Sequence, residues 1–178
     1  MSEDFESLTQ TGMKHFQKKE YTLAADYFSR AAEVARSQGQ ELDEAEQKNN
    51  LSVSLLFGGN ARQAYEAAAG TADVFQAHND KKRQAMALGN AAQALEGLKD
   101  YPKAAELYGQ ATDLLKGENQ GEIRSMLLHR KAGVEAKLGE TFSSAASLAA
   151  SIDEKPKPGM KDKLLKKVFD KIFHSNHD

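Results

Sequence analysis

Between Met86 and Leu115 the apolar residues fall into two runs at helical spacing. Met86, Leu88, Ala91, Ala92, Leu95 and Leu98 form the first, Lys99-Asp100 interrupts, and Tyr101 opens a second through Ala104, Ala105, Tyr108, Ala111, Thr112 and Leu115. Steps of three and four gather each run on one face, so the segment predicts a helix, a tight turn and a second helix. Pro102 falls in the first turn of the second helix, where its missing N–H has no intrahelical bond to lose. The pattern returns when the chain is shifted by 40 residues, and at three positions of each of the four aligned stretches the residue is small. These positions hold Gly12, Ala24 and Ala31, then Ser52, Ala64 and Thr71, then Ala92, Ala104 and Ala111, and lastly Ala132, Ser144 and Ser151. Where helix backbones approach closely, a side chain larger than a methyl or hydroxyl would hold them apart, so the register predicts stacked helical hairpins. Turn signals at Gly58-Gly59-Asn60, Lys99-Asp100 and Gly139-Glu140 fall between paired runs.

Composition agrees with an all-α fold. Val, Ile and Thr are sparse beside Ala, Leu, Glu, Lys and Gln, and there are only 3 prolines in 178 residues. Cysteine is absent, which excludes disulfides, thiolate nucleophiles and Cys-based metal sites and fits a cytoplasmic protein. The acidic start, Met1-Ser-Glu-Asp-Phe-Glu, lacks the basic and apolar stretches of a secretory signal, and no apolar run reaches the roughly 18 residues of a membrane span. No P-loop, G-x-S-x-G elbow or G-x-G-x-x-G is present, and the histidines are scattered apart from His174 and His177 near the end. The expectation is a protein that is not an enzyme and carries no cofactor or metal.

Gly or Ala in the first helix, an aromatic opening the second, then Ala, an aromatic and Ala resemble the tetratricopeptide repeat, or TPR. Leu8, Gly12, Tyr21, Ala24, Phe28 and Ala31 carry the fullest match, and Leu88, Ala92, Tyr101, Ala104, Tyr108 and Ala111 nearly equal it. The aromatic places hold Ala61 and Ala68 in the second unit and Thr141 and Leu148 in the fourth, so those hairpins are expected to pack less tightly. The period is longer than the usual one of about 34 residues and resembles the longer-helix variety of kinesin light chains and polarity adaptors. The resemblance implies a right-handed α-solenoid of about four TPR-like hairpins (about 5–38, 45–78, 80–117 and 120–152), followed by a C-terminal amphipathic helix. Residues 1–153 would form the repeat domain, 154–159 a Pro/Gly linker, 160–174 a basic amphipathic helix and 175–178 a disordered end. An unrelated helical bundle with Ala-rich seams is the competing architecture.

In such arrays the first helix of each hairpin lines a concave face, and one row on it, Gln10, Asn50, Asn90 and Arg130, is polar. A carboxamide offers donor and acceptor together, so a ladder of them can bond the main chain of an extended peptide without reading its side chains. The longer-period relatives are similar in using Asn there. Met13, Phe57, Met86 and Met126 are neighbouring apolar candidates for the groove, or else core filling. A protein or peptide ligand is therefore the expected partner, with a solvated Asn face as the plainer reading.

Charge divides near residue 155. The net charge is −2, but residues 155–178 hold seven Lys and three Asp, a net of +4, which leaves −6 for the body. Leu164, Leu165, Val168, Phe169, Ile172 and Phe173 share one face of the terminal helix, with Lys163, Lys166 and Lys167 on the other. Three uses stay open: a lid on the last repeat, a contact with an anionic membrane surface that would make the protein peripheral there, or a helical partner including self-association. Nucleic acid is not expected, because the chain is acidic overall and the tail has neither Arg nor a stacking aromatic on its polar face.

Overall fold

The computed structural model describes residues 4–173, with side chains through 170. The expected disordered end at 175–178, His174 and His177, and the side chains of Ile172 and Phe173 lie outside the described residues. Ten helices and no strand occur among the described residues. They fall into two units, Met1–Asp100 and Tyr101–Asp178. The first contains α1 (Phe5–Gln17), α2 (Tyr21–Ser37), α3 (Glu41–Phe57), α4 (Ala61–Ala68), α5 (Thr71–Ala77) and α6 (Lys81–Gly97). The second contains α7 (Tyr101–Leu114), α8 (Gly121–Lys137), α9 (Thr141–Asp153) and α10 (Met160–Phe173).

Most helix ends are closed by one device. The N–H groups of Glu20, Gln40, Asn60, Asp80, Asp100 and Glu140 each donate to the carbonyl five residues back, at 2.8–2.9 Å. The residue before each donor, Lys19, Gly39, Gly59, Asn79, Lys99 or Gly139, has a positive φ. This left-handed turn reverses the chain while satisfying a carbonyl that the helix end would otherwise leave orphaned. Turns inside and between the predicted hairpins are thus alike, so the device recurs at half the interval of the side-chain pattern. The link between α7 and α8 departs from it: Gly117 takes the positive φ, and Gln120 N–H bonds the Glu118 carbonyl at 2.7 Å.

One helix is split. The pattern predicts a single second helix in the second hairpin, but the chain leaves α4 at Ala69 (ψ 130°) and enters α5 through Gly70 at φ 76°. Ala68 and Thr71 stay buried on either side of the break, so the segment remains seated on its neighbours.

In the first unit α2 packs on α1 and α3, α3 also on α4, α5 and α6, and α6 on α4 and α5. In the second, α8 packs on α7 and α9, and α10 on α9. The small residues of the register lie in these seams: all are buried except Ser144, which is half-buried. Gly12 shows why. A Cβ added there would stand 2.8 Å from a ring carbon of Phe28, well inside van der Waals contact, and that ring is fully buried on α2. In the second unit the small hydroxyls also tie helices together. Ser144 Oγ donates to the Ala132 carbonyl at 2.9 Å and Ser125 Oγ to the Ser151 carbonyl at 2.6 Å, so α8 and α9 are bonded across a seam that larger side chains would open.

Candidate functional site

Two of the predicted row residues meet in one cleft of about 200 Å³ in the first unit. Its walls are Glu46, Asn49, Asn50 and Val53 on α3, Phe75 on α5, and Arg83, Met86 and Asn90 on α6. Steps of three and four, close to one helical turn, bring Glu46, Asn50 and Val53 to one side of α3 and Met86 and Asn90 to one side of α6. Asn50 and Asn90 are half-buried and Met86 is exposed, so both carboxamides can be reached from solvent.

Both are loosely held. Asn50 Nδ2 donates to Gln47 Oε1 at 3.3 Å, and Asn90 Nδ2 donates to Asn49 Oδ1 at 3.4 Å. These bonds are longer than the usual 2.9–3.0 Å, so a ligand with good geometry would not displace a strong bond. Asn49 is different. It is buried, its Nδ2 donates to the Ala45 carbonyl at 3.2 Å, and its Oδ1 also faces Thr71 Oγ1 at 3.3 Å, the same hydroxyl that donates to the Ala68 carbonyl at 2.8 Å. One carboxamide thereby joins α3, the start of α5 and α6.

Asp80 fixes the rim of the cleft. Its Oδ1 accepts from Arg83 N–H at 2.9 Å, which caps α6, and its Oδ2 accepts from Arg83 Nε at 2.6 Å. Arg83 continues to Glu46 at 3.2 Å and lies 5.1 Å from the centre of the Phe75 ring. The bond from the Arg83 backbone N–H, with support from its side chain, holds the Asp80 carboxyl below its ordinary value. A lowered carboxylate stabilises the fold above its unfolded pKa near 4, and that stabilisation is lost as pH falls through the lowered value. Asp80→Ala is expected to cost about 1 kcal/mol at neutral pH, the usual worth of such a cap. Urea denaturation should show this gap closing as both proteins are taken well below pH 4; a gap independent of pH would disprove the ionic part of the cap.

The remaining predicted residues lie elsewhere. Gln10 and Met13 are exposed on α1 and Arg130 is exposed on α8, none of them among the walls of this cleft. Phe57, at the end of α3, stacks on Tyr21 at 5.3 Å and meets Phe16 edge-on at 5.8 Å, forming an aromatic cluster with the α1–α2 turn. The walls that the sequence did not single out are Glu46, Asn49, Val53, Phe75 and Arg83. The register could not flag Asn49, because its equivalents are Thr9, Gly89 and His129.

A second cavity, about 290 Å³, opens beside the α4–α5 break against Glu41, Glu44, Ala45, Lys48 and Val74. Its main charge is already matched: Glu44 accepts from Lys48 at 2.6 Å and from Arg36 at 2.9 Å, Lys48 chief among the causes that lower its carboxyl pKa. In the second unit α10 runs back along α9. A gap of about 150 Å³ separates Ala145, Leu148, Ala149 and Ile152 from Leu165, Val168 and Phe169, with Lys166 at its edge. Lys166 Nζ also reaches Asp153 at 2.8 Å. The terminal helix therefore packs on α9, while Lys163, Lys167 and Leu164 on it remain exposed. Among the described residues no helix is long and apolar enough to cross a membrane, and no cluster of His, Asp or Glu could hold a metal ion.

The model of the family described as "SNAP: Soluble NSF attachment protein" matches residues 2–171. Among solved structures, the apo form of RapI is similar over 97% of this chain and 48% of its own, with a TM-score of 0.77 and 16% identity. BtubC (BKLC) from P. vanneervenii is similar over 87% of this chain and 67% of its own, with a TM-score of 0.76 and 16% identity. At that identity these likenesses show the fold alone, a TPR-like helical repeat, and the chain spans about half the length of RapI. No curated protein matches the sequence.

Proposed function

The chain belongs to the soluble NSF attachment protein family, and from that premise we propose that it is a protein-interaction scaffold holding an extended peptide segment in the α3–α6 cleft. The family is named for attaching one protein to another, and the role proposed here is of that class and non-catalytic. The observation that carries the reading is the pairing of Asn50 and Asn90 across one cleft, each spending its amide on a long bond and keeping its carbonyl oxygen for a ligand. An extended peptide presents alternating N–H and C=O groups, which two such carboxamides can accept from and donate to. Arg83 is engaged by Asp80 and Glu46, so the cleft offers no open cation for a terminal carboxylate, and an internal segment fits better. Met86 and Val53 supply apolar contact beside it. The recurrence of second-helix starts at Tyr21, Ala61, Tyr101 and Thr141 supports reading the units as the longer-helix kind of repeat.

Selection of binders from a displayed library of unstructured peptides, followed by calorimetry on the full chain, tests the reading. Asn50→Ala with Asn90→Ala is expected to weaken a selected peptide at least tenfold, at about 1 kcal/mol per lost bond, with urea stability little changed. A folded double variant that binds the same peptides undiminished would sink the proposal.

A further inference from the structure

We propose that α10 carries a docking strip for an anionic lipid surface, and that it does so while packed on α9. At 100° per residue the apolar residues of this helix form two adjacent strips rather than one. Leu165 and Phe169 form the strip on the α9 side, where they line the gap opposite Leu148 and Ile152. Met160, Leu164 and Val168, at steps of four, form the second, which is most open at the start of the helix: the exposures are 88%, 64% and 47%, and Val168 already borders the gap. α9 faces the first strip with Ala145, Leu148, Ala149 and Ile152, and neither Met160 nor Leu164 is among the walls of that gap. A helix serving only as a lid has no need of the outer strip.

The charges beside that strip say what covers it. Lys163 and Lys167 flank it on one side and Lys161 on the other, and all three are exposed. The acidic residues that could neutralise them are turned to other tasks. Asp162 accepts from Lys155 at 2.8 Å and from the Gly159 N–H at 2.9 Å, which caps the helix, while Asp170 lies 3.6 Å from Lys166. Lys166 is itself drawn to Asp153, so the described ion pairs of α10 leave Lys161, Lys163 and Lys167 to solvent. Three unmatched lysines around a protruding Met and Leu suit a surface of anionic headgroups over acyl chains: the cations meet the headgroups and the apolar side chains insert below them. A protein groove would need acidic walls and a matching shape to do the same.

The test uses the full chain with two sets of vesicles, phosphatidylcholine alone and phosphatidylcholine with 30% phosphatidylserine as the probe composition. Flotation is expected with the anionic vesicles only, and binding should fall as salt is raised from 50 to 500 mM, the range chosen to shorten the screening length. Met160→Glu with Leu164→Glu, at exposed positions, should abolish flotation while the helical circular dichroism is kept. Lys163→Gln and Lys167→Gln should each weaken binding about fivefold. Failure to float with anionic vesicles, equal flotation with neutral ones, or indifference to these variants would overturn the proposal. So would a concentration-dependent dimer, seen by sedimentation without lipid and lost in the Glu variant, since it would assign the strip to a second copy. Peptide binding in the α3–α6 cleft is read separately, so either proposal can fail alone.

Discussion

Phe28→Ala is expected to remove about 3–5 kcal/mol of stability, the cost of deleting a fully buried aromatic ring, and so to be the most damaging single change considered. The loss is a large share of the 5–15 kcal/mol that holds a typical domain folded, and the urea midpoint should fall accordingly. The reason is local. Phe28 on α2 lies over Gly12 on α1, so closely that a methyl at position 12 would enter the ring. The two residues should therefore behave as a pair. Gly12→Ala is expected to destabilise the wild type by about 1–3 kcal/mol through overpacking. In the Phe28→Ala background the same change should become favourable by about 0.5–1 kcal/mol, because the ring is gone and alanine suits a helix interior better than glycine. A double-mutant cycle measures this reversal; additive effects would show that Gly12 is small for some reason other than the ring.

Asn49→Ala is expected to cost about 1–3 kcal/mol, whereas Asn50→Ala beside it should change stability by less than about 0.5 kcal/mol. The contrast follows from burial. Asn49 is enclosed and its carboxamide serves Ala45 and Asn90 while facing Thr71, so its removal leaves polar groups without partners in a seam that water reaches poorly. Asn50 is half-buried and bonds only Gln47 through a contact of 3.3 Å, which water can replace. In peptide titrations both substitutions should weaken binding, Asn49 by freeing the Asn90 amide to rotate and Asn50 by removing a contact. Urea curves separate the two roles. Equal stability losses, or a larger one for Asn50, would reverse the assignment.

The helices were legible because their signals are local. Leu8 and Gly12, or Ala104, Tyr108 and Ala111, repeat at three- and four-residue steps that only a helix turns into a single face. Gly58-Gly59 and Gly139 announced turns, since a left-handed residue is easiest for glycine. Lys19 adopts the same φ without a glycine to announce it, which is why the twenty-residue recurrence of the turn was not visible in side chains. The break between α4 and α5 was equally hidden: Gly70 is one glycine in a run of alanines, and whether it bends a helix depends on what packs at Ala68 and Thr71.

The candidate site divides along the same line. Asn50 and Asn90 could be picked out because they recur in register, in a row that also holds Gln10 and Arg130. Only in the folded first unit do Asn50 and Asn90 share walls with Arg83, Glu46 and the buried Asn49. The amphipathic tail was likewise plain from its lysines and leucines, but periodicity draws one apolar face where the packing on α9 engages Leu165, Val168 and Phe169 and leaves Met160 and Leu164 outside the gap.

By itself, then, the amino-acid sequence determined the helices, the small residues that their seams require, and the change from an acidic body to a basic terminal helix. All three depend on residues a few positions apart, where spacing along the chain is also spacing in space. The tertiary structure decided which carboxamides share a cleft, which one is locked beneath it and which side of the last helix stays uncovered. Those outcomes depend on contacts between residues on different helices, 41 positions apart for Asn49 with Asn90 and 13 for Lys166 with Asp153, for which neither residue type nor period carries a distance.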